Sequence, residues 1–302
     1  MQEFILRFFQ SVATPFWDTA FTWITMLGEQ YFILMVVSWI YWNHSKKEGF
    51  VMMVLFLIST LLNLLLKDFF HTKRPFEKLS NFTGKRLETA TGYSFPSGHT
   101  QGATTLFINL SQIFKKPVYL IIAVFICLLV AVSRVYLGAH WPVDVVGGLV
   151  AGIFVVLVFY PWLKRVYDEK ARFNRLINWI AFISGFLVLV VFGLSKIGLS
   201  FSIDIKYYIV LTGIIYGCVL GYRLEDKKVR FINSAPAWLK ITRYFLGLSV
   251  SILLLSGVKK ILPEYLIFDF FRYFIVGFWL TGIFPAFGIM LGLFRKEKVQ
   301  DF

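Results

Sequence analysis

Long runs of apolar residues alternate along the chain with short clusters of charged and polar residues. Several of the apolar runs approach the ~20 residues that a helix needs to cross the core of a bilayer. The pattern predicts an all-α fold, a polytopic transmembrane helix bundle with about nine spanning helices. The predicted spans lie near residues 15–43, 48–70, 98–114, 117–137, 141–162, 176–195, 206–222, 243–260 and 270–294.

The composition indicates a membrane protein rather than a soluble one. Hydrophobic residues make up 58% of the 302 residues, whereas soluble domains contain about 45–50%. The formal net charge is +14, which in a soluble protein would favour nucleic-acid binding. In a membrane protein we expect this excess to mark cytoplasmic loops and to serve site chemistry, and we predict no nucleic-acid partner. Cys127 and Cys218 lie inside apolar runs and match no disulfide framework or zinc motif.

The distribution of Lys and Arg predicts the orientation of the chain in the membrane. Cations concentrate in alternate loops, near residues 46–47, 115–116, 164–175, 223–243 and 295–298. Loops rich in Lys and Arg usually face the cytoplasm. We therefore predict an integral protein of the cell membrane with its N-terminus outside and its C-terminus in the cytoplasm. The three polar clusters described below would then lie on the extracytoplasmic side.

The charged segment 163–175 is the clearest internal boundary. All three polar clusters precede it, and four predicted spans with few polar residues follow it. We predict a membrane core over residues 1–165 that carries the chemistry, and an additional four-helix transmembrane block over residues 166–302. The role of this block stays open between an oligomer interface, a lipid gate and a partner surface.

The first polar cluster closes the second predicted span. Lys67 lies near the end of the apolar run over residues 51–66, and Arg74 and Pro75 follow it. Because seven residues make two helical turns, the spacing predicts that Lys67 and Arg74 share one helix face, with Pro75 ending the helix. A cation inside a span is costly unless it is paired, and therefore indicates a functional role. A lysine that snorkels to the interface is the alternative.

The second cluster is Pro96-Ser97-Gly98-His99, directly before a helical run. Ser97 is of a residue type that caps helix N-termini, and Gly98 allows a ligand to approach the backbone closely. Free amides and the helix dipole at such a terminus favour an oxyanion. His99 would lie beside that anion, in position to donate a proton. By itself, the motif also fits an ordinary capped helix with an interfacial histidine.

The third cluster contains Arg134, His140 and Asp144. If a helix starts just after His140, Asp144 faces back toward the imidazole. A carboxylate on one ring nitrogen sets the tautomer and leaves the other nitrogen nucleophilic. The planar guanidinium of Arg134 suits a phosphate bidentately. The alternative is an interfacial His–Asp hydrogen bond that fixes the end of a helix.

Read in order, the clusters are Lys-x6-Arg-Pro, Pro-Ser-Gly-His and Ser-Arg-x5-His-x3-Asp. This combination resembles the three signature motifs of the type 2 phosphatidic-acid phosphatase superfamily, over about residues 50–160. That superfamily includes bacterial lipid phosphatases, glucose-6-phosphatase and vanadium haloperoxidases. The resemblance implies that His140 is the nucleophile that becomes phosphorylated, that Asp144 orients it, and that His99 is the general acid and later the base. It also implies a phosphate-binding set made of Lys67, Arg74, Ser97, Gly98 and Arg134.

The resemblance predicts a membrane phosphatase that acts on a phosphorylated lipid such as phosphatidic acid, phosphatidylglycerol phosphate or polyprenyl pyrophosphate. Phosphoryl transfer needs positioning and charge neutralisation, and here three side-chain cations would replace magnesium. Because the sequence has no acidic cluster with metal-ligand spacing, we expect an enzyme without a metal or other cofactor. Hydrolysis of a soluble sugar phosphate, phosphotransfer to an alcohol and a non-catalytic lipid or anion transporter are the open alternatives. A homo-oligomer is also left open.

Overall fold

The protein is almost entirely helical in a computed structural model that describes residues 1–90, 92–196 and 205–297. The prediction of an all-α bundle is confirmed. The helices are α1 (Gln2–Ser11), α2 (Pro15–Met26), α3 (Gln30–Trp39), α4 (Lys46–Phe70), α5 (Pro75–Lys78), α6 (Gly98–Phe114), α7 (Pro117–Tyr136), α8 (Pro142–Asp168), α9 (Lys170–Lys196), α10 (Ile205–Leu224), α11 (Ala237–Ile252), α12 (Val258–Ile261), α13 (Leu266–Phe278) and α14 (Phe284–Met290). Short π-helical turns extend α3, α10, α11 and α13. Two-residue strands β1 (Phe231–Ile232) and β2 (Arg295–Lys296) pair antiparallel.

Seven helical segments in these ranges are long and apolar enough to cross a membrane. An eighth candidate span consists of α2 and α3, which meet at a bend of 47°. The remaining predicted span, 98–114, corresponds to α6, whose 17 residues are fewer than the ~20 of a typical span. The nine predicted segments are therefore seven clear spans, one bent pair and one short helix. Lys298, counted among the C-terminal cations, lies outside the described residues.

The chain forms two compact units. Met1–Leu34 and Val54–Leu163 build the first unit. The described part of the second unit consists of residues 35–53, 164–196 and 205–297. All three polar clusters of the sequence belong to the first unit.

Four helix ends in the first unit carry the polar clusters. α4 ends three residues after Lys67, α6 begins at Gly98, α7 ends two residues after Arg134, and α8 begins two residues after His140. A two-residue connection joins α6 and α7, so these helices run antiparallel and the start of α6 lies beside the end of α7. The topology thus gathers residues that are far apart in sequence at one end of the unit.

Polar contacts hold α6 against α4. The Ser59 hydroxyl lies 3.0 Å from that of Thr105, and Nε2 of Gln101 donates to the carbonyl oxygen of Ser59 at 2.8 Å. Oε1 of Gln101 accepts a hydrogen bond from Nδ2 of Asn63, also at 2.8 Å. In a membrane, lipid is as apolar as the side chains of a helix, so burial of apolar side chains does little to join helices, whereas hydrogen bonds of this kind do join them. They fix α6, which carries His99 in its first turn, relative to α4, which carries Lys67 in its last turn.

In the second unit, α10 and α13 pack with unusually close backbones. A Cβ atom on Gly213 or Gly217 of α10 would come within 2.5 Å of a carbonyl oxygen of α13. Small residues at such spacing let transmembrane helices approach closely. A buried aromatic side chain adds a polar contact in the same unit. Nε1 of Trp42 donates a hydrogen bond to the carbonyl oxygen of Leu280 at 2.9 Å.

Candidate active site

His140 and Asp144 lie next to each other at the start of α8. The chain turns between α7 and α8 at Gly138, whose φ of +67° is a conformation that glycine adopts readily. Nδ1 of His140 is 3.4 Å from Oδ2 of Asp144, and both side chains are almost fully buried. The backbone N–H of Trp141 donates to the same carboxylate oxygen at 2.8 Å. The first turn of α8 therefore holds the carboxylate against the imidazole.

The partner of the second ring nitrogen indicates the tautomer of His140. Nη1 of Arg74 lies 3.2 Å from Nε2 of His140. Because a guanidinium can only donate hydrogen bonds, Nε2 accepts and is unprotonated. The ring proton then belongs to Nδ1, on the side of Asp144. Nε2 is consequently the ring nitrogen that carries the lone pair.

Ser94 completes the contact between His140 and Asp144, and it was not predicted from the sequence. Its hydroxyl donates to Oδ2 of Asp144 and lies 3.5 Å from Nδ1 of His140. The side chain is fully buried, and the backbone N–H of Ser94 donates to the carbonyl oxygen of Thr72 at 2.8 Å. Nothing in the local sequence distinguishes this serine, because its role arises only from the folding of the loop.

Burial keeps the imidazole of His140 neutral. The residue lies between α7 and α8, outside both spans, and is 2% exposed. Burial lowers the pKa of His140 well below its ordinary value of 6.5, and the charges of Arg74, Arg134 and Lys67 lower it further. At neutral pH the ring is therefore uncharged, which is the state required of a nitrogen nucleophile.

The predicted continuation of the helix to Arg74 is wrong. α4 ends at Phe70, and Arg74 is extended, with φ −75° and ψ 159°. A proline disfavours the helical conformation of the residue before it, and Arg74 directly precedes Pro75. Even so, Lys67 and Arg74 both donate to the carbonyl oxygen of Tyr93. Nη1 of Arg74 also donates to the carbonyl oxygen of Ala139 at 2.9 Å, which places this guanidinium beside His140.

Arg134 is a fully buried cation with unused hydrogen-bond donors. Its Nη1 donates to Oγ1 of Thr25 at 3.1 Å. Nε and Nη2 have no hydrogen-bond partner among the described residues. A buried donor without a partner is costly, and a buried charge is costlier still. The two free nitrogens on one planar group are suited to bind two oxygens of one oxyanion.

Ser97, Gly98 and His99 form the N-terminal end of α6. Ser97 is the N-cap, and its Oγ accepts a hydrogen bond from Oγ1 of Thr100 at 3.0 Å. The backbone N–H of Ser97 donates to the carbonyl oxygen of Asp144 at 2.9 Å, which ties the start of α6 to the start of α8. The imidazole of His99 is buried except for 15% of its surface, and its Nε2 lies 3.5 Å from Oε1 of Glu29.

Glu29 and Arg86 belong to the same cluster and were not predicted as site residues. Nη2 of Arg86 lies 2.6 Å from Oε1 of Glu29. The first predicted span contains Gly28-Glu29-Gln30 as an interruption, and an ionisable residue inside a span is itself a signal of function. Arg86 comes from the loop that precedes the second motif and offers no comparable signal.

The charges of the site favour an anion. Lys67, Arg74, Arg86 and Arg134 contribute four cations, whereas Glu29 and Asp144 contribute two carboxylates. The cations outnumber the carboxylates, also when Glu88 beside Arg86 is counted, and this excess favours an anion such as phosphate. In the part of the chain that the structure describes, no three His, Cys, Asp or Glu side chains are grouped so that they could hold a metal ion.

Comparison with protein-family models identifies both halves of the chain. Residues 48–168 match the PAP2 superfamily. Residues 209–297 match the transmembrane extension of PAP2 superfamily phosphatases. The first match contains all three polar clusters, and the second lies within the four-helix block that follows them.

The chain also resembles characterised phosphatases. It is 31% identical to phosphatidylglycerophosphatase B of Bacillus subtilis over 53% of this chain and 80% of that protein. It is 29% identical to undecaprenyl-diphosphatase BcrC of the same organism, over 49% of this chain and 77% of that protein. A solved phosphatidylglycerolphosphate phosphatase from Bacillus subtilis matches with 29% identity and a TM-score of 0.43, over 56% of this chain and 85% of that chain. The chain is therefore an integral membrane protein of the PAP2 phosphatase superfamily.

Proposed function

We propose that the protein is a phosphatase for membrane lipids that works through a phosphohistidine intermediate on His140 and needs no metal ion. The substrate would be a lipid phosphate monoester or diphosphate, such as phosphatidic acid, phosphatidylglycerol phosphate or polyprenyl pyrophosphate. In this proposal His140 is the nucleophile, Asp144 orients it, and His99 transfers the proton. Lys67, Arg74, Ser97, Gly98 and Arg134 bind the phosphate.

The observation that carries the proposal is the pair of unpartnered nitrogens on buried Arg134, in a site that also contains a neutral imidazole. Nε and Nη2 of Arg134 lack hydrogen-bond partners, and the same end of the unit holds Arg74 beside Nε2 of His140. A phosphate bound to both guanidinium groups would lie next to that nitrogen. The cations would neutralise the charge on the equatorial oxygens in the transition state.

In the first chemical step, Nε2 of His140 attacks phosphorus, and the bond from phosphorus to the leaving oxygen breaks. Nδ1 keeps its proton toward Asp144, which stabilises the positive charge that develops on the ring. His99, which the bound phosphate dianion would keep protonated, gives its proton to the leaving oxygen, so that the alcohol or the lipid monophosphate leaves protonated. The products of this step are the dephosphorylated lipid and the phosphorylated enzyme.

In the second step, a water molecule attacks the phosphorus atom, and the bond to Nε2 breaks. His99 is now neutral and accepts a proton from the water. Inorganic phosphate leaves, and both histidines return to their starting states. Because fixed cations supply the charge neutralisation that magnesium supplies in many phosphoryl-transfer enzymes, no step of this scheme requires a metal ion.

The relatives support a lipid as the substrate. Their names specify phosphatidylglycerophosphate, undecaprenyl diphosphate and, in a human relative with 27% identity over 50% of this chain, sphingosine 1-phosphate. All three are phosphorylated lipids. The Lys and Arg bias of the loops further supports a site on the extracytoplasmic side, and we propose the outer leaflet as the source of substrate.

The experiment is a substrate panel assayed on the detergent-purified protein in the presence of a chelator. Phosphatidic acid, phosphatidylglycerol phosphate, polyprenyl pyrophosphate and glucose 6-phosphate would be compared, with His140→Ala as the blank. We expect release of inorganic phosphate from at least one lipid, little release from the sugar phosphate, and blank activity in the variant.

Other outcomes would contradict specific parts of the proposal. Preferential turnover of the sugar phosphate would move the substrate class to soluble phosphates. Loss of activity with chelator, restored by a divalent cation, would contradict metal independence. Absence of any turnover, together with binding of phosphorylated lipids, would favour the transporter alternative.

A further inference from the structure

We propose that Glu29 is a positioning residue for His99 and that Arg86 anchors Glu29 in this role. The bend between α2 and α3 would thereby belong to the catalytic site of the phosphatase. This inference rests on the function proposed above, because it concerns how the proton donor of that reaction is held and charged.

The geometry places the three side chains in a row. Oε1 of Glu29 lies 3.5 Å from Nε2 of His99 and 2.6 Å from Nη2 of Arg86. Nη1 of Arg86 donates to the carbonyl oxygen of Thr22 at 2.7 Å, so the guanidinium is itself fixed to α2. Nε2 of His99 is buried and has no hydrogen-bond partner among the described residues, so the carboxylate of Glu29 is the ionic group that it faces. With Nε2 directed at Glu29, Nδ1 is left for the leaving oxygen.

The backbone at the bend between α2 and α3 packs closely against the start of α6. A Cβ atom on Gly28 would come within 2.3 Å of the carbonyl oxygen of His99, so only glycine allows the bend to pack against the start of α6. From the same bend, Thr25 accepts a hydrogen bond from Nη1 of Arg134. One bent pair of helices therefore contacts both the proposed proton donor and the proposed phosphate-binding arginine.

Three charged groups face His99, and they act in opposite directions on the protonation of its imidazole. Burial of the ring, together with Arg134 from α7 and Arg86 from the loop, lowers the pKa of His99 from 6.5 to about 4. Glu29 favours the imidazolium, and it is the carboxylate in contact with the ring. A bound phosphate dianion would act in the same direction as Glu29. Without Glu29, the donor would lose the fixed negative charge that favours its acidic form.

The chemistry of the leaving group provides a specific readout. An alkoxide leaving from phosphatidic acid needs a proton in the transition state, whereas p-nitrophenolate is a stable anion and leaves without one. General acid catalysis therefore matters much more for the alkyl substrate. A residue that only supports the fold would affect both substrates alike.

The experiment compares Glu29→Gln with the wild-type protein on phosphatidic acid and on p-nitrophenyl phosphate. We expect kcat for phosphatidic acid to fall by about 10–100-fold, as for loss of other groups that orient a reacting side chain, and kcat for p-nitrophenyl phosphate to fall by less than about 3-fold. The alkaline limb of the pH profile for phosphatidic acid should move to lower pH, because loss of the carboxylate disfavours the imidazolium.

Glu88→Gln is the matched control. Glu88 lies 3.7 Å from Nε of Arg86 and is 73% exposed, so this variant removes a carboxylate near Arg86 without removing the contact to His99. We expect wild-type activity on both substrates. Arg86→Gln is the second variant, for the case that Glu29→Gln does not fold, and it should show a loss selective for the alkyl substrate. Equal losses on both substrates, or no loss on either, would overturn the inference.

Failure of the proposed function would look different. Wild-type protein without activity on any phosphorylated lipid, or His140→Ala with full activity, would refute the phosphatase mechanism itself. His99→Ala without dependence on the leaving group would refute the assignment of His99 as the acid. If both of these tests agree with the mechanism, and Glu29→Gln keeps the wild-type ratio of activity on phosphatidic acid to activity on p-nitrophenyl phosphate, only the role of Glu29 is refuted.

Discussion

At the residue scale, the tautomer of His140 depends on three neighbours in contact with its ring. Arg74 donates toward Nε2, while Asp144 and Ser94 face Nδ1. The arrangement leaves Nε2 unprotonated and gives Nδ1 a carboxylate that can stabilise a positive ring. Arg74 and Ser94 come from the segment between α4 and α6, whereas Asp144 lies in the first turn of α8, so the tautomer of His140 is a property of the folded site.

Replacement of Ser94 by Ala should weaken the contact between Asp144 and His140. We expect kcat to fall about 10–100-fold, as for other second-layer contacts to a reacting group, with an unfolding free energy lowered by about 1–3 kcal/mol. Steady-state kinetics and thermal denaturation measure the two effects. Ser111→Ala is the control, because Ser111 is also buried but donates only within α6, to the carbonyl oxygen of Ile108. Equal activities of the two variants would contradict this role for Ser94.

The lowered pKa of His140 predicts the acidic limb of the pH profile. The nucleophile must be neutral, and a lowered pKa means that more acid is needed to protonate it, so activity should persist below pH 6.5 and disappear only as the pH falls through the lowered value. The measurement is kcat/KM against pH, corrected for ionisation of the substrate phosphate. In Arg74→Gln the residual activity should show this limb shifted toward 6.5, since a charge that lowers the pKa is gone. A wild-type limb at or above 6.5 would contradict the account.

Some of these residues could be predicted from sequence and others could not, for a physical reason. His140 and Asp144 are one helical turn apart, so their contact is local and visible in the spacing. Ser94 and Arg86 reach the site only through loop packing, which leaves no local pattern. Glu29 is an intermediate case, because its charge inside an apolar segment was visible but its partner was not.

At the element scale, the site depends on how closely α8 packs against α6. A Cβ atom on Gly148 would come within 2.7 Å of the carbonyl oxygen of Ser97 and 3.1 Å of Cβ of Thr100. One turn earlier on α8, the carbonyl oxygen of Asp144 accepts a hydrogen bond from the N–H of Ser97. The packing of the two helices and the position of the Asp144 carboxylate are therefore coupled.

Gly148→Ala should push α8 away from α6. We expect a loss of about 1–3 kcal/mol in unfolding free energy, as for other overpacked sites, together with reduced kcat because Asp144 shifts. Thermal denaturation in detergent and a phosphate-release assay measure both. Gly193→Ala in α9 is the control, because no atom lies within 4 Å of its added Cβ, and it should be neutral or stabilising by up to about 1 kcal/mol. A variant at Gly148 that is as stable and active as the control would contradict the coupling.

At the scale of the whole molecule, the sequence predicted the helical class and most spans, because long apolar runs have few alternatives to a membrane helix. It did not predict that residues 35–53 group with the second compact unit, since this depends on tertiary contacts rather than on composition. The short helix α6 was predicted as a span whose polar residues favour protein neighbours over lipid, and most of these residues are buried.

The proposed orientation can be tested by cysteine labelling in intact cells. The parent protein for these variants would carry Ala in place of the two buried cysteines, Cys127 and Cys218. Ser80→Cys, on the exposed surface after α5, should react with a membrane-impermeant maleimide added outside. Lys116→Cys, exposed between α6 and α7 at the opposite end of these helices, should react only after lysis. The reverse pattern would place the site on the cytoplasmic side.

The most direct test of the central claim is to trap the covalent intermediate. The protein would be mixed with substrate carrying a radiolabelled phosphate, quenched with base during turnover, digested and mapped by mass spectrometry. We expect label on the peptide that contains His140, stable in base and lost in acid, and no label in His140→Ala. Label on a different residue, or full turnover by His140→Ala, would contradict it.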